Sequence, residues 1–181
     1  LVDRSKRLTR LPRADWGKFM AHSGLGITVF AVAALLAWEA EDIRVAQVGD
    51  RWEIGIHEIE LAAVVEIDGP NYYGEGGEMN VYRNGRFVGQ VFAEKRVYPV
   101  AQMPTTEAGI RNGILRDVYV VLGDPQTGGG WAVRTYIKPY ANWVWGGAIL
   151  MALGGFISLS DRRLRVAAGA AKSTSNAVAA E

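Results

Sequence analysis

The sequence predicts an integral membrane protein: two α-helical spans flanking a mainly-β periplasmic domain, a small barrel or sandwich of OB-like size with one short helix. Three observations carry this. Two runs of the 181-residue chain, 19–38 and 139–160, contain no Asp, Glu, Lys or Arg. The residues between them alternate with period two and are broken by turn signals. Charge also partitions by segment. The formal net of +1 hides six basic against two acidic residues in 1–18, ten against fifteen in 39–138, and four against two in 161–181. The averages, 49% hydrophobic and 22% charged, would describe an ordinary soluble domain. The distribution does not.

Residues 1–18 form a basic segment, expected on the cytoplasmic side because Lys and Arg accumulate there. Residues 19–38 are the first transmembrane helix, since about 20 apolar residues cross a hydrocarbon core of about 30 Å. Residues 39–138, net acidic, are the periplasmic domain. Residues 139–160 are the second transmembrane helix, and residues 161–181 a small, polar, disordered cytoplasmic tail. Both ends thus face the cytoplasm. Trp16 marks the inner interface, and Trp38, Tyr136, Tyr140, Trp143 and Trp145 the outer one. A secretory signal is the rival for the first run, but its apolar core would be too long. The chain begins at Leu1, and we expect it to be a piece of something longer.

Within the outer domain, residues 51–56 alternate with Trp52, Ile54 and Ile56 on one face. Met79, Val81 and Arg83 lead into Asn84-Gly85, and Phe87, Gly89 and Val91 lead out. An Asn-Gly pair between alternating runs signals a hairpin, because both turn positions need positive φ. Residues 118–122 and 131–137 are two more strands, joined through Asp124, Pro125 and Gly128-Gly129-Gly130. Residues 105–115 read as the short helix, entered through Pro104, with Thr105 or Thr106 as N-cap and Glu107 in the first turn. The expectation is about six or seven strands.

Chemistry is sparse in this domain. There is no cysteine, which excludes a disulfide scaffold and a thiolate zinc site. Residues 39–138 contain no serine, so no Ser–His–Asp nucleophile can form there. His57, between Ile56 and Glu58, is expected on the solvent face of a strand. Residues 74–78, Gly-Glu-Gly-Gly-Glu, lack calcium-loop spacing and read as a hairpin connection. The triple glycine lacks the Lys-Ser/Thr of a phosphate loop and is plain loop. A near-neutral total gives no nucleic-acid binder running on bulk positive charge. The domain is expected to bind or support.

The chemically loaded position is His22, inside the first span, where an ionisable group is costly. Gly26, at i+4, puts a gap on the same face, and Gly24 and Thr28 repeat small-residue spacing on an adjacent face. Two readings stay open. His22 is a helix-end histidine bonded to a neighbouring carbonyl, or it is an axial ligand to haem iron. One imidazole fills one position. The second span offers only Met151, so a complete site needs residues outside this chain. Gly147, Met151 and Gly155 form a row on the second span that expects a neighbour.

The run Met20-Ala21-His22-Ser23-Gly24-Leu25-Gly26 is similar to the histidine-bearing late span of the CcmF haem-lyase family of cytochrome c maturation, whose related branch serves nitrite reductase. The resemblance continues through Gly69-Pro70-Asn71-Tyr72, Glu94-Lys95-Arg96-Val97-Tyr98, Met103-Pro104-Thr105-Thr106-Glu107-Ala108, Asp117-Val118-Tyr119-Val120-Val121-Leu122-Gly123 and Trp131-Ala132-Val133-Arg134. It closes with Lys138-Pro139, Trp143-Val144-Trp145-Gly146-Gly147, Met151-Ala152-Leu153-Gly154-Gly155 and Ser158-Leu159-Ser160-Asp161-Arg162-Arg163. It covers about residues 16–165.

The resemblance implies the C-terminal part of a multi-pass protein of the bacterial inner membrane. It implies haem b held by two intramembrane histidines, His22 being one axial ligand of the haem iron and the second lying outside this chain. It implies covalent attachment of haem to apocytochrome c, with a periplasmic haem chaperone, a thiol-handling maturation partner and membrane lipid as partners. The family's other haem-handling histidines and its Trp-rich segment are missing here, so the chain alone is not expected to be an active enzyme. Arg96, Glu107, Asp117 and Arg134 stand in the resembling blocks and are expected in structural ion pairs rather than on haem propionates. The alternative is a two-span anchor displaying a periplasmic β domain that scaffolds or binds a partner without cofactor.

Overall fold

The computed structural model describes residues 12–100 and 103–161. Most of the basic segment and nearly all of the tail therefore lie outside the described residues. The chain divides into two compact units, Ala31–Asn142 on one hand and Leu1–Phe30 with Trp143–Glu181 on the other.

The first unit is a β-sandwich of nine strands among the described residues. In chain order they are β1 (Ala40–Ala46), β2 (Arg51–Ile54), β3 (His57–Asp68), β4 (Tyr73–Arg83), β5 (Arg86–Tyr98), β6 (Met103–Glu107), β7 (Gly109–Arg111), β8 (Arg116–Pro125) and β9 (Trp131–Pro139). One sheet has the order β1-β9-β8-β7, the other β2-β3-β4-β5-β6, and every pairing is antiparallel. Alternation does what it must. Val118, Val120 and Leu122 of β8 and Val133 and Ile137 of β9 face Trp52, Ile54, Ile59, Leu61, Met79, Val81, Val91 and Ala93 of the other sheet, forming one buried cluster. The Trp52 indole donates to Thr135 Oγ1 at 3.3 Å across this core, which removes the cost of an unpaired buried N–H.

Turn chemistry sets the register. Asn84 and Gly85, with φ of 51° and 73°, close β4 onto β5 as the Asn-Gly signal predicts. Gly55 (φ 60°) and Ile56 form a second two-residue turn that pairs Ile54 with His57. Ile56 is consequently an exposed turn residue, not a third member of the Trp52–Ile54 face.

Three expectations are corrected here. The short helix over 105–115 does not form: Met103–Glu107 pairs with β5, and Gly109–Arg111 pairs with β8. The segment carries Thr105, Thr106 and two glycines, all poor in helix interiors. Pro104 sits on a sheet-edge strand, where a missing N–H is tolerated. A Cβ on Gly109 would stand 2.8 Å from the Phe92 carbonyl oxygen, so this backbone lies against β5 while pairing with the other sheet. Next, residues 74–78 are no hairpin connection. They lie inside β4, paired with β3 on one side and β5 on the other. Their glycines admit neighbours: the Phe92 ring fills the place of a Gly76 side chain, and Met79 and Leu122 crowd Gly77. His57, finally, is buried, as described below.

The second unit is a helix pair. α1 (Arg13–Trp38) and α2 (Ala141–Leu159), each reaching into the first unit at one end, are both long and apolar enough to cross a membrane, with mean hydropathies of 1.9 and 1.4. They pack antiparallel on glycines. A Cβ on Gly17 would stand 2.5 Å from the Gly154 carbonyl oxygen, and one on Gly24 2.5 Å from that of Gly147. Such contact between backbones is what small residues permit in membrane helices. The row on α2 therefore runs Gly147–Met151–Gly154. Gly155, expected in it, faces open space, because two turns of helix advance seven residues, not eight. Phe19, Leu25, Val29, Trp145, Ile149, Leu153 and Phe156 are exposed, the reverse of buried helices in a soluble core. Asp161 Oδ2 accepts the Ala14 N–H at 3.0 Å, a carboxylate on the first turn of α1.

Candidate functional site

His22 projects from α1 on the side away from the glycine seam. Its side chain is exposed, and Nδ1 lies 2.8 Å from the Lys18 carbonyl oxygen. A carbonyl only accepts, so Nδ1 carries the hydrogen and a neutral ring keeps its lone pair on Nε2. Gly26, one turn on, has nothing within 4 Å of a would-be Cβ. The bond to the Lys18 carbonyl is the one the helix-end reading expects, and it leaves Nε2 without a partner among the described residues. Met151 packs on Gly24, on the opposite face, and is not brought to His22. Gly24 and Thr28 belong to the helix seam as well; Thr28 Oγ1 donates to the Val144 carbonyl at 3.4 Å.

Three of the four charged residues singled out in the outer domain stand in ion pairs. Arg96 pairs with Glu94 at 2.7 Å and Glu107 at 3.6 Å and lies over the Tyr72 ring. Arg134 pairs with Glu41 at 3.6 Å. Asp117 differs from the expectation: its carboxylate is buried and takes the Gly113 N–H at 2.7 Å and the Asn142 amide at 3.1 Å, without a cationic partner among the described residues.

His57 is the feature sequence reasoning misplaced. Only 9% exposed, it continues the inward alternation of Ile59 and Leu61, and its Nδ1 is buried without a partner among the described residues. It lines a cavity of about 130 Å³ with Arg83, Arg111 and Arg116. Burial, then the positive charges of Arg83, Arg116 and Arg111, hold its pKa below the ordinary 6.5. The available signal was the two-residue turn at 55–56, which shifts the phase so that 57, 59 and 61 face in. A larger open cleft of about 790 Å³ runs past Glu66, Asp68, Tyr73, Glu75 and Lys95. No group of three or more His, Cys, Asp or Glu arranged for a metal ion occurs among the described residues.

A pH dependence follows from His57. The unfolded chain holds its proton up to about pH 6.5 and the folded chain releases it earlier. The stability of the neutral form is therefore complete above 6.5 and is lost as pH falls toward the lower folded pKa. Thermal unfolding of the chain in detergent should show a smaller loss between pH 7 and pH 5 for His57→Gln than for the native protein. Equal losses would contradict the assignment.

A family described as the CcmF C-terminal beta-sandwich matches residues 37–139. The chain is 56% identical over 176 residues to the cytochrome c-type biogenesis protein ccl1 of Rhodobacter capsulatus, covering 97% of this chain and 27% of that protein. It is 31% identical over 151 residues to the cytochrome c-type biogenesis protein NrfE of Haemophilus influenzae, covering 83% and 24%. A solved structure titled cytochrome c heme lyase CcmF superimposes with a TM-score of 0.64 at 20% identity, over 82% of this chain and 25% of that one. The chain thus spans about a quarter of the length of the relatives it matches.

Proposed function

The chain belongs to the CcmF family, and from that premise we propose that it is the C-terminal portion of a membrane haem lyase for c-type cytochrome maturation, contributing one intramembrane haem b ligand, His22, and a periplasmic domain. Its relatives are cytochrome c-type biogenesis proteins, and it is a membrane protein carrying two helices fit to cross a bilayer. The reading extends this to the bacterial inner membrane, with both ends cytoplasmic and residues 39–138 periplasmic. A cysteine placed at Gly128, in a chain that has none, should react with an impermeant thiol reagent from the outer side only; labelling from the cytoplasmic side would reverse the orientation.

The observation that carries the reading is His22. The residues present fit an axial ligand. Lys18 holds Nδ1–H and leaves Nε2 presented, and Gly26 leaves the adjoining surface without a side chain. Haem b, when bound, supplies one-electron chemistry. The chain's own part is to fix the imidazole tautomer and keep that face clear, while α2 is engaged on the opposite face. The other ligand lies beyond this chain, and the apocytochrome c, the periplasmic haem chaperone and the thiol-handling maturation protein are its partners in this reading. The β domain supplies a rigid docking or shielding surface.

Co-expression with the spans that precede this segment in its relatives, followed by oxidised and reduced spectra in mild detergent, tests this. We expect a bis-imidazole haem b that His22→Ala removes or converts to a mono-imidazole species. A spectrum unchanged in His22→Ala would overturn the ligand role and leave a two-span anchor displaying a β domain.

A further inference from the structure

We propose that the cavity bounded by His57, Arg83, Arg111 and Arg116 is a binding site for a phosphate-class oxyanion. This site is separate from His22 and does not rest on the haem reading.

Three arginines converge on one cavity wall, and none of them has a carboxylate or hydrogen-bond partner among the described residues, although the domain as a whole is acidic. Arg51, Arg96 and Arg134 of the same domain each hold a carboxylate. Acidic partners are therefore available and are not used here. Even the nearest carboxylate along the chain, Asp117, is committed to Gly113 and Asn142. Beside the guanidiniums sits the buried, unpartnered Nδ1 of His57. Buried polar atoms are nearly always satisfied in folded proteins. Arg83 and Arg116 are exposed and Arg111 half-buried, so water serves them, whereas Nδ1 of His57 lies buried beside their unneutralised positive charge. An oxyanion supplies both the missing negative charge and an acceptor.

The backbone around the cavity is shaped to the same end. Gly89, at the irregularity between β4 and β5 with φ 151°, leaves room for Arg111: a Cβ there would stand 3.0 Å from its guanidinium. Asn112 and Gly113 complete the rim. The volume of about 130 Å³ leaves room for a small anion or an anionic head group. Guanidinium forks suit phosphate oxygens. Three forks and an imidazole offer more donors than one carboxylate can accept, which favours the tetrahedral, multiply acceptor-bearing phosphate. Anion binding would also reverse the electrostatic depression of the His57 pKa.

Placement indicates two sources of that phosphate. The loop carrying the cavity bonds to the start of α2: Leu115 O accepts from Tyr140 N at 2.9 Å, and Gly113 O from the Asn142 amide at 3.0 Å. α2 is apolar enough to enter a bilayer. The phosphate is either inorganic or part of a lipid head group.

With only two histidines in the chain, imidazole-selective NMR of the full chain in maltoside micelles gives two signals, assigned by His57→Gln. Inorganic phosphate titrated at constant ionic strength, or phosphatidic acid doped into the micelles, should shift the His57 signal saturably and leave that of His22 in place. Diacylglycerol in the same micelles should do nothing, and acetate should not saturate. Saturation by phosphatidic acid in phosphate-free buffer identifies the lipid source; saturation by phosphate alone identifies the free anion. Arg83→Gln and Arg116→Gln should each weaken binding about tenfold, the scale of one charge-assisted bond. Arg116→Lys, which keeps the charge and the fold, should fall between. A His57 signal that neither probe saturates, acetate binding as well as phosphate, or equal shifts in the Gln variants would overturn the site.

Discussion

Replacing Gly24 by leucine should separate the two apolar helices. A Cβ at this position falls 2.5 Å from the Gly147 carbonyl oxygen and 2.7 Å from the Met151 nitrogen. Backbone atoms cannot turn aside as a flexible side chain can, so the helices must move apart along the whole seam. Overpacking of this kind costs about 1–3 kcal/mol even where neighbours yield. Here the backbone proximity is also the source of the attraction, since apolar burial gives membrane helices no preference for each other over lipid. We expect loss of the pair rather than its distortion. Because the chain lacks cysteine, spin labels placed through Leu25→Cys and Ile149→Cys, both exposed sites, report the interhelical distance directly. The narrow distribution of the parent should broaden in Gly24→Leu. Gly26→Leu is the internal control: nothing lies within 4 Å of its Cβ, so the distance should stay narrow. If Gly26→Leu broadens it equally, the seam is assigned to the wrong face. The same variant carries a second reading, since it fills the surface beside His22 and should lower haem b occupancy in the complete protein while leaving the pair intact.

How much of this was legible follows from what kind of rule fixed each element. Local rules read well. Asn84-Gly85 demands positive φ at two positions, which a hairpin supplies, and the uncharged runs need no tertiary information to mark them as spans. Rules of phase failed where one residue shifted the count. Carrying the Trp52–Ile54 alternation through to Ile56 put His57 outside, whereas the turn at Gly55 restarts it and puts His57 with Ile59 and Leu61. The same composition also carries opposite meanings. Gly-Glu-Gly-Gly-Glu looks like a loop by propensity, yet it lies in the first half of β4, because Phe92, Met79 and Leu122 need the space its glycines leave. Residues 105–115 mislead for a related reason: Pro104, Thr105 and Glu107 imitate a helix start, and only the edges of β5 and β8 decide that they are strands. The candidate sites divide similarly. His22 stands out because it is ionisable in an apolar run. The arginines around His57 are spread over 83–116 and become a cluster only through sheet register.

Asp117→Ala should be among the most destabilising single changes in the outer domain. The carboxylate is 1% exposed and satisfies two donors, the Gly113 N–H and the Asn142 side-chain amide. Asn142 uses the same amide to reach Gly113 O, so the three residues form a closed unit that pins the loop between β7 and β8. Truncation leaves the half-buried Gly113 N–H without its acceptor, at about 1–3 kcal/mol for an unsatisfied group, and opens a void in place of the carboxylate; the exposed Asn142 amide keeps Gly113 O and water. A total of about 1–3 kcal/mol is expected, read as a lower thermal midpoint of the domain. Asp117→Asn separates geometry from charge: it retains an oxygen for Gly113 and should recover a large part of the loss. If Asn is no better than Ala, the negative charge, not the hydrogen bonds, is what the site requires. The consequence reaches the arginine cavity, because the pinned loop carries Arg111 at one end and Arg116 at the other. Phosphate binding should therefore weaken in Asp117→Ala even below its unfolding temperature, although Asp117 removes a negative charge from the neighbourhood and simple electrostatics predicts tighter binding. The sign of that change distinguishes an anion site built by loop geometry from one that depends only on local positive charge.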